Sequence, residues 1–372
     1  MIYLDNAATT PLLSCPALED APFFANPSSP HTLGIIAERA ITQSRQVLGD
    51  ILLCKPAELI FTSGGTEANN LAILGFAFAH MKTHPRPTLF AEPWAHPSVL
   101  APIQFAAEQG FAQAVIAPAK EWNIPGGAAL CCLSHVHHET GDITPIADIA
   151  RETKKINCNA VIFTDGAQGF CKDIHAAQVY TASDLYSFSG HKCHAPTGTG
   201  GLMVRVGVKI SPLLHGGGHE NGLRSGTENT AGIVHMAHCA RYLHENATLH
   251  HERLYYAYNT VANLAGDLPD VFFNRMGSNV SPYILNLSFL GTKGEVLVHM
   301  LAEKGIMVSM GAACKSRKKD KSALAAMGKS REFTESALRI SFSHLNTQDE
   351  TEYAKEILRT AVMQLRKISR YI

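Results

Sequence analysis

Short apolar runs alternate with helix-like patterns up to about residue 230 of the chain. Each run is bounded by polar or turn-forming residues, which is typical of a strand buried in a sheet. The predicted strands are ELIFTS at 58–63, ALCCLSHV at 129–136, AVIFTD at 160–165, DLYSFS at 184–189 and GGLMVRV at 200–206. A helix is expected to follow the first strand from Glu67. This alternation predicts an α/β fold, in which a mostly parallel sheet binds ligands at the carboxyl ends of its strands.

The pattern changes after about residue 230, where one long helix is predicted over residues 231–265. Beyond it the spacing predicts a smaller α+β unit, with strands at 281–290, 307–311 and 337–343 and a helix at 293–305. The first dozen residues carry no helix pattern, and we expect them to pack near this second unit. The expected division is a large domain over 12–255 and a small domain formed by 1–11 with 256–372.

Composition and charge narrow the functional class. The 372 residues are 46% hydrophobic, and 32 Lys and Arg balance 32 Asp and Glu, so the formal net charge is zero. A chain-wide basic surface is therefore excluded, and we expect neither nucleic acid nor a membrane as partner. The amino terminus lacks a signal-peptide pattern, and the longest apolar run, at 71–81, is too short to cross a bilayer. A cytoplasmic location is the resulting expectation.

Nine cysteines are scattered along the chain, and none forms a Cys-x-x-Cys pair. The odd number and irregular spacing argue against a disulfide framework and against a zinc ribbon. Most of these side chains are expected to be small buried apolar groups, and one of them is a candidate nucleophile.

Unusual polar residues follow three of the predicted strands. FTSGGTEANN at 61–70 places two glycines before a helix, where backbone N–H groups and the helix dipole favour an anion. TDGAQGF at 164–170 puts the Asp165 carboxylate at the mouth of the sheet, and SFSGHK at 187–192 puts Lys192 there. Each feature has an ordinary alternative, namely a helix N-cap at Thr66, an Asx turn at Asp165 and a solvated lysine.

Taken together, the three features point to one cofactor. Asp165 and Lys192 follow successive predicted strands, which brings both to the same edge of the sheet. An anion cradle, a carboxylate for a cationic ring nitrogen and a lysine that forms a Schiff base are the groups that pyridoxal 5'-phosphate requires. The sequence therefore predicts a pyridoxal phosphate enzyme.

The chain resembles the cysteine desulfurases, a family of pyridoxal-phosphate-dependent enzymes within the class V aminotransferase-like group. The resemblance covers nearly the whole chain and implies the type I fold of these transferases. The motifs that carry it are YLDNAATTP at 3–11, NPSSPH at 26–31, IFTSGGTEANNLAI at 60–73, DGAQ at 165–168, SFSGHK at 187–192, GGGHENGLRSGTEN at 216–229, GAAC at 311–314 and ALRISFS at 337–343.

The resemblance implies roles for the residues around the cofactor ring. Lys192 is the lysine that forms the Schiff base, and Asp165 keeps the pyridine nitrogen protonated. Gln168 bonds the phenolic oxygen, and His96 stacks on the ring and moves protons.

The resemblance also implies how phosphate and substrate are bound. The implied phosphate ligands within one chain are Gly65, Thr66, Ser189 and His191. Thr227 reaches the phosphate of the neighbouring subunit, so an obligate homodimer is expected. Arg339 binds the substrate carboxylate, a task suited to a bidentate guanidinium, and Asn26 assists it.

Cys314 matches the nucleophile of the family, in the basic segment GAACKSRKKDKSAL at 311–324. Nearby cations favour the thiolate form of a cysteine. The implied reaction converts L-cysteine to L-alanine, holds the sulfur as a persulfide on Cys314 and passes it to an acceptor protein or thiol. The sequence leaves open whether this sulfur serves iron–sulfur cluster assembly, tRNA thiolation or another pathway.

One departure from the family pattern lies in HVHHE at 135–139, where the family usually has HVNNE. His138 replaces the asparagine that bonds the phenolic oxygen, and an imidazole can donate a hydrogen bond but can also carry charge. His135 and His137 share one face of the predicted strand, but no acidic or cysteine ligand accompanies them in the sequence, so no metal site is expected.

Three other functions stay open on the sequence alone: a selenocysteine lyase, a class V aminotransferase and a non-catalytic scaffold of the same fold. An aminotransferase does not need the nucleophile Cys314. The joint presence of Lys192, Asp165, Arg339 and Cys314 argues against a scaffold.

Overall fold

The computed structural model describes residues 1–18, 23–82, 85–119, 124, 127–310 and 322–369. The strands are β1 (Ile2–Tyr3), β2 (Leu59–Thr62), β3 (Thr88–Ala91), β4 (Gln113–Ile116), β5 (Ala128–Ser134), β6 (Val161–Asp165), β7 (Leu185–Ser189), β8 (Gly200–Val204), β9 (Val271–Phe273), β10 (Ile284–Phe289), β11 (Ile306–Met307) and β12 (Ala337–Ser341). The helices are α1 (Thr32–Leu52), α2 (Gly65–His80), α3 (Pro97–Glu108), α4 (Ile146–Ile156), α5 (Ala176–Ala182), α6 (Thr230–Glu245), α7 (Ala247–Ala262), α8 (Leu264–Asp267), α9 (Gly294–Glu303), α10 (Ala323–Ala326), α11 (Arg331–Glu335) and α12 (Gln348–Ser369). Among the helices in these ranges, none combines the length and the hydropathy that a bilayer span needs.

The chain divides into two compact units. The large unit consists of Pro11–His135 and Thr144–Asn246, and the small unit consists of Met1–Thr10, Val136–Ile143 and Ala247–Ile372. The division after Asn246 comes earlier than the expected 255, because the predicted long helix is in fact α6 and α7. Asn246 interrupts it, since its side-chain Nδ2 donates to Tyr242 O at 2.8 Å and its own backbone leaves the helical conformation.

The segment Val136–Ile143 is a second difference from the expected domains, because it interrupts the large unit and belongs to the small one. Its backbone pairs with residues of the small unit far along the chain. Ser281 N donates to Gly141 O at 2.8 Å, and Asp142 forms an antiparallel bridge with Val280. These long-range hydrogen bonds, which no local pattern reveals, decide the assignment of the segment.

The large unit is built on a seven-stranded sheet in the order β2-β8-β7-β6-β5-β3-β4. β8 is antiparallel to β2 and to β7, whereas the other pairs are parallel. Alternate residues of β5 enter different apolar cores, Cys131 and Leu133 one and Leu130 and Cys132 the other. The sheet is therefore covered on both faces, and the predicted α/β fold with a mostly parallel sheet is confirmed.

One edge of this sheet collects the carboxyl ends of β2, β3, β5, β6 and β7. β2 runs with the parallel strands because it is antiparallel to β8, which is itself antiparallel to β7. The segments that follow these strands therefore emerge at the edge where open α/β sheets bind ligands.

The small unit contains the antiparallel sheet β12-β10-β9 and the parallel pair β1-β11. Ile2 pairs with Ile306, so the first residues of the chain lie in this unit, as expected. Its core contains apolar residues of several helices and strands, including Leu254 from α7, Leu297 from α9, Val362 from α12 and Leu287 from β10.

Candidate functional site

The residues expected to bind the cofactor within the large unit follow four strands whose carboxyl ends share one sheet edge. Gly65 and Thr66 follow β2, and His96 follows β3. Asp165 ends β6 and Gln168 follows it, whereas Ser189 ends β7 and His191 and Lys192 follow it. A methyl group placed on Gly65 would lie 3.4 Å from Ser189 Cβ and 3.9 Å from Ala167 Cβ. The segments after β2, β6 and β7 thus converge closely.

The start of α2 forms a cradle for an anion. Its N-cap is Gly64, at a φ of 153° that side chains rarely adopt, and no side chain of the described residues caps the helix. The alternative of an N-cap at Thr66 is thereby excluded. Ser189 Oγ is buried and makes no hydrogen bond to any described residue. An uncapped helix start beside a buried hydroxyl that lacks a hydrogen bond fits a phosphate group.

Asp165 is buried and held in one orientation. Asn69 Nδ2 donates to its Oδ2 at 3.0 Å, and Ala167 N donates to its Oδ1 at 3.0 Å. Asn69 is itself fixed, because Ser187 Oγ donates to its Oδ1 at 2.6 Å. The contact with Ala167 is an Asx turn, so this alternative and the role in a site hold together. A buried carboxylate with fixed oxygens fits the cationic ring nitrogen of pyridoxal phosphate.

His96 caps the amino end of α3. Its Nδ1 accepts a hydrogen bond from Ser98 N at 3.1 Å and lies 2.7 Å from Ser98 Oγ. Burial lowers the pKa of His96; Asp165 opposes this effect and Lys192 adds to it. The ring is therefore neutral at neutral pH, as suits a ring that stacks on an aromatic cofactor and exchanges protons.

His191 and Lys192 lie on the short turn that follows β7. Burial, together with the positive charges of Lys192 and Lys172, lowers the pKa of His191 to about 4. His191 therefore offers a phosphate a neutral N–H donor rather than a positive charge. Lys192 is partly buried, and its amine is the group expected to form the Schiff base.

Gln168 is buried one helical turn before Lys172, which is buried as well. Lys172 Nζ donates to Gln168 Oε1 at 3.3 Å. The sequence alone predicts no role in the site for Lys172 or Asn69. A lysine two residues after the motif TDGAQGF looks like any solvated lysine in the sequence, and only the fold shows its burial.

Arg339 and His138, both predicted to bind ligands, meet within the small unit. The guanidinium of Arg339 donates from Nη1 to His138 O at 3.0 Å and from Nη2 to Asp5 Oδ1 at 3.0 Å. Arg339 Nε is buried and has no hydrogen-bond partner among the described residues. The arginine is thus oriented by two contacts and keeps one inward donor, which suits the binding of a carboxylate.

The remaining predicted residues are more exposed or lie elsewhere. Asn26 is exposed and accepts a hydrogen bond from Ser28 N at 2.9 Å, which forms a local turn. Thr227 is exposed on the loop that precedes α6. Cys314 falls in residues 311–321, outside the described part of the chain.

The loop before α6 is anchored by a buried ion pair. Arg45 of α1 holds the Glu220 carboxylate with both of its terminal nitrogens, at 2.7 and 2.9 Å. Phe61 N of β2 donates to the same carboxylate at 2.8 Å. Four residues further on, Arg224 pairs with Glu67 in the first turn of α2 at 2.9 Å. The loop that carries Thr227 is therefore fixed to β2 and to the anion cradle.

Burial raises the pKa of seven cysteines above the ordinary value for a thiol. They are Cys15, Cys54, Cys131, Cys132, Cys171, Cys193 and Cys239. In the case of Cys193, which neighbours Lys192, the value reaches about 12. These thiols stay protonated near neutrality and are poor nucleophiles. Cys158 is exposed, but it precedes the amino end of β6, away from the edge described above.

His135, which the sequence placed in a histidine cluster, is occupied by neighbouring side chains. Its Nδ1 lies 2.9 Å from Tyr186 Oη, and its Nε2 lies 2.9 Å from Asp173 Oδ2. His137 Nδ1 lies 2.9 Å from Thr140 Oγ1. Across the described ranges, no group of three or more His, Cys, Asp or Glu side chains is arranged to hold a metal ion.

Comparison with known proteins identifies the family of the chain. The family model for class V aminotransferases matches residues 2–353. The chain belongs to this family. It is 34% identical to a protein named cysteine desulfurase IscS from Pseudomonas savastanoi pv. phaseolicola, with 99% of this chain and 94% of the relative covered. The resemblance stated from the motifs is thereby confirmed.

Two solved structures are similar to this chain in fold. A NifS-like protein superposes with a TM-score of 0.86 at 27% identity, and the match covers 100% of both chains. A structure titled SspA in complex with cysteine matches with a TM-score of 0.76 at 29% identity, over 93% of this chain and 100% of the other. The α/β fold predicted from the strand pattern is therefore also the fold of these two structures, over nearly the whole chain.

Proposed function

We propose that this protein is a pyridoxal 5'-phosphate-dependent cysteine desulfurase. It converts L-cysteine to L-alanine, holds the sulfur as a persulfide on Cys314 and passes it to an acceptor protein or thiol. The observation that carries the proposal is the buried Ser189 hydroxyl beside the uncapped start of α2, on the sheet edge that also bears Asp165 and Lys192. The names of the relatives, and the relative solved with cysteine, support the choice of substrate.

The large unit supplies the residues that would hold the cofactor. The phosphate would be bound by Gly65 and Thr66 in the first turn of α2, by Ser189 and by the neutral ring of His191. Asp165 pairs with the ring nitrogen, Gln168 bonds the phenolic oxygen and His96 stacks on the ring. When bound, pyridoxal phosphate supplies an electron sink beside the α-carbon of the substrate.

Arg339 binds the substrate carboxylate, with Asn26 assisting. Its inward Nε is a donor that no described side chain uses, and its Nη2 is now held by Asp5. A carboxylate that approaches Nε and Nη2 forms the bidentate pair typical of arginine and competes with Asp5 for one nitrogen. Asp5 thereby keeps the guanidinium in place before the substrate arrives.

Proton and sulfur transfer are assigned to Lys192 and Cys314. The amine Nζ of Lys192, freed when the substrate binds, takes the proton from the α-carbon and later helps to return it. The thiolate of Cys314 attacks the substrate sulfur. A sulfur–sulfur bond forms as the carbon–sulfur bond breaks, and the bonding electrons stay with carbon, which leaves as alanine. The balance requires no external oxidant.

A homodimer is part of the proposal. Thr227 lies exposed on an anchored loop, as suits a residue that reaches the phosphate of a neighbouring subunit. Light scattering on the purified protein is expected to report a dimer at micromolar concentration. A monomer with full activity would contradict the shared site.

Sulfur delivery to iron–sulfur cluster assembly in the cytoplasm is the pathway we propose.

The decisive experiment incubates the purified, yellow protein with L-cysteine and a reducing thiol, and measures alanine and sulfide together. Equal amounts of both are expected from the wild type. Cys314→Ser is expected to keep the visible absorbance of the cofactor and to lose sulfide release by several orders of magnitude, because a serine hydroxyl cannot form a persulfide.

Cys158→Ser is the matched control, since Cys158 is exposed and lies away from the cofactor edge. It is expected to release sulfide at the wild-type rate. Sulfide release by Cys314→Ser at the wild-type rate would contradict the assigned nucleophile. Formation of a keto acid in place of sulfide would indicate an aminotransferase, and a strong preference for selenocysteine would indicate a selenocysteine lyase.

A further inference from the structure

We propose that Lys172 is a positioning residue of the cofactor site, which fixes the direction of the Gln168 amide so that Gln168 acts as a hydrogen-bond donor toward the cofactor. The inference rests on the proposed function, because it assumes that pyridoxal phosphate binds at this edge. It assigns a role to a lysine that lies outside the motifs quoted above and takes no part in the proposed mechanism.

The geometry places both side chains inside the large unit. Gln168 is 5% exposed and Lys172 is 6% exposed, so water has little access to either. The intervening segment is tightly turned, since Phe170 N donates to Gly166 O at 2.8 Å and Lys172 N donates to Gly169 O at 3.1 Å. This turn brings Lys172 Nζ to 3.3 Å from Gln168 Oε1.

The chemistry of the two groups sets the direction of the amide. A lysine ammonium has three donors and no acceptor, so the end of Gln168 that faces it must be the carbonyl oxygen. A reversed amide would point its NH₂ group at the ammonium, and two donors would then face each other in a buried place. The NH₂ group of Gln168 is therefore directed away from Lys172. A donor in that direction suits the phenolic oxygen of pyridoxal phosphate, which is an acceptor when it is ionised.

Lys172 also places a positive charge in this part of the site. Its charge contributes, after burial and Lys192, to the lowered pKa of His191. Its charge also opposes the effect of burial on the thiol of Cys193. The ammonium of Lys172 and the NH₂ group of Gln168 have the same effect on the cofactor, because both favour the ionised form of its phenolic oxygen.

The test is a pH titration of the visible absorbance of the bound cofactor, with cofactor affinity measured in parallel by equilibrium dialysis. In Lys172→Met the side chain keeps its length but loses the donor and the charge. The titration midpoint is expected to rise by about one pH unit, a tenfold change in proton affinity. Lys172→Arg keeps a donor and a charge, and it is expected to return the midpoint to near the wild-type value.

A double-mutant cycle shows whether Lys172 acts through Gln168. Gln168→Leu removes the amide and is expected to raise the midpoint by itself. Adding Lys172→Met to Gln168→Leu is expected to shift the midpoint by less than half of its effect in the wild type, because the partner is already lost. Equal effects in both backgrounds would overturn the proposed coupling.

A second variant covers the case in which Lys172→Met does not fold. Gln168→Glu keeps an acceptor for Lys172 but removes the donor toward the cofactor, so the midpoint is expected to rise. An unchanged midpoint would overturn the inference. Lys154→Met is the matched control, because Lys154 pairs with Asp184 before the amino end of β7, and it is expected to leave the midpoint unchanged.

The outcomes separate this inference from the proposed function. A wild-type protein that binds no pyridoxal phosphate would contradict both. A wild-type protein that binds it and releases sulfide, but whose midpoint does not respond to Lys172→Met or Gln168→Glu, would contradict the role of Lys172 alone.

Discussion

The buried pair of Arg45 and Glu220 offers a sharp test of what anchors the loop before α6. The Glu220 side chain is 1% exposed and the Arg45 side chain is 18% exposed, so the pair is largely removed from water. The carboxylate also accepts the backbone N–H of Phe61, and the guanidinium lies over the Phe61 ring at 4.4 Å. Glu220→Gln keeps the size of the side chain and removes only its charge.

The expected loss of stability follows from these contacts. Removing one partner of a buried ion pair costs about 3–5 kcal/mol, because the other charge is left without compensation. The NH₂ group of glutamine faces one nitrogen of Arg45, but its oxygen still accepts from Phe61 N and from Arg45 Nη1. The lower end of the range therefore applies, and Glu220→Gln is expected to destabilise the large unit by about 3 kcal/mol.

Urea unfolding followed by tryptophan fluorescence measures this loss in the relevant unit. Both tryptophans of the chain, at positions 94 and 122, lie within the sequence of the large unit. Wild type and variant are compared at the same saturating cofactor concentration, since a ligand of the native state raises the apparent stability. The midpoint is expected to fall while the slope stays unchanged.

Two further variants complete the cycle. Arg45→Met in the Glu220→Gln background is expected to recover part of the loss, because no buried charge then remains unpaired. Glu152→Gln removes an exposed carboxylate that pairs with Lys155, and it is expected to leave the midpoint unchanged. A decrease of less than about 1 kcal/mol in the free energy of unfolding of Glu220→Gln would refute the reasoning, because the buried ion pair would then contribute no more to stability than an exposed one.

The remaining predictions concern two histidines of the small unit. The resemblance implies that His138 lies beside the phenolic oxygen of the cofactor. His138→Asn is therefore expected to reduce the absorbance changes of the bound cofactor between about pH 6 and 8, where imidazole titrates. Superimposable titrations of the wild type and the variant would contradict this contact. His250 is stacked on His344 at 4.0 Å between ring centroids, and burial, with a contribution from Arg253, lowers the pKa of His250. The folded state favours the neutral form of the His250 ring. The contribution of His250 to the free energy of unfolding is therefore constant above the ordinary histidine pKa and decreases as the pH falls below that value. His250→Phe is expected to make this acid decline shallower when unfolding is followed by tyrosine circular dichroism, and an equal decline would count against His250.

The strands of the large sheet were largely predictable, because buried strands read as continuous apolar runs. Phe61, Phe163 and Phe188 sit in such runs and are buried in the structure. β4 has no such signal, since it is a four-residue strand at the edge of the sheet with no buried residue. The break at Asn246 was missed because apolar spacing continues through it, whereas the structure shows the Asn246 side chain bonded to Tyr242 O and the Asn246 backbone outside the helical conformation.

The site was predictable where the residues at the strand ends together supply all the groups that one cofactor requires. Asp165 and Lys192 satisfy that condition, and the structure places them on one edge of the sheet. Asn69, which orients Asp165, and Lys172, which contacts Gln168, depend on burial. A lysine or asparagine in a loop or helix carries no mark of burial in its sequence neighbours, so only the fold identifies these positions.

The pairing of Ile2 with Ile306 has a consequence for the order in which the protein is made. The first strand of the chain leaves the ribosome long before its partner exists, and it waits unpaired while the whole large unit is synthesised. Val136–Ile143 waits in the same way for the residues around Val280. The large unit can therefore close first, whereas the small unit cannot form on a ribosome-bound chain until synthesis is nearly complete. Premature stops after residue 246 leave two exposed segments with no partner, which would make such fragments ready substrates for chaperones and proteases.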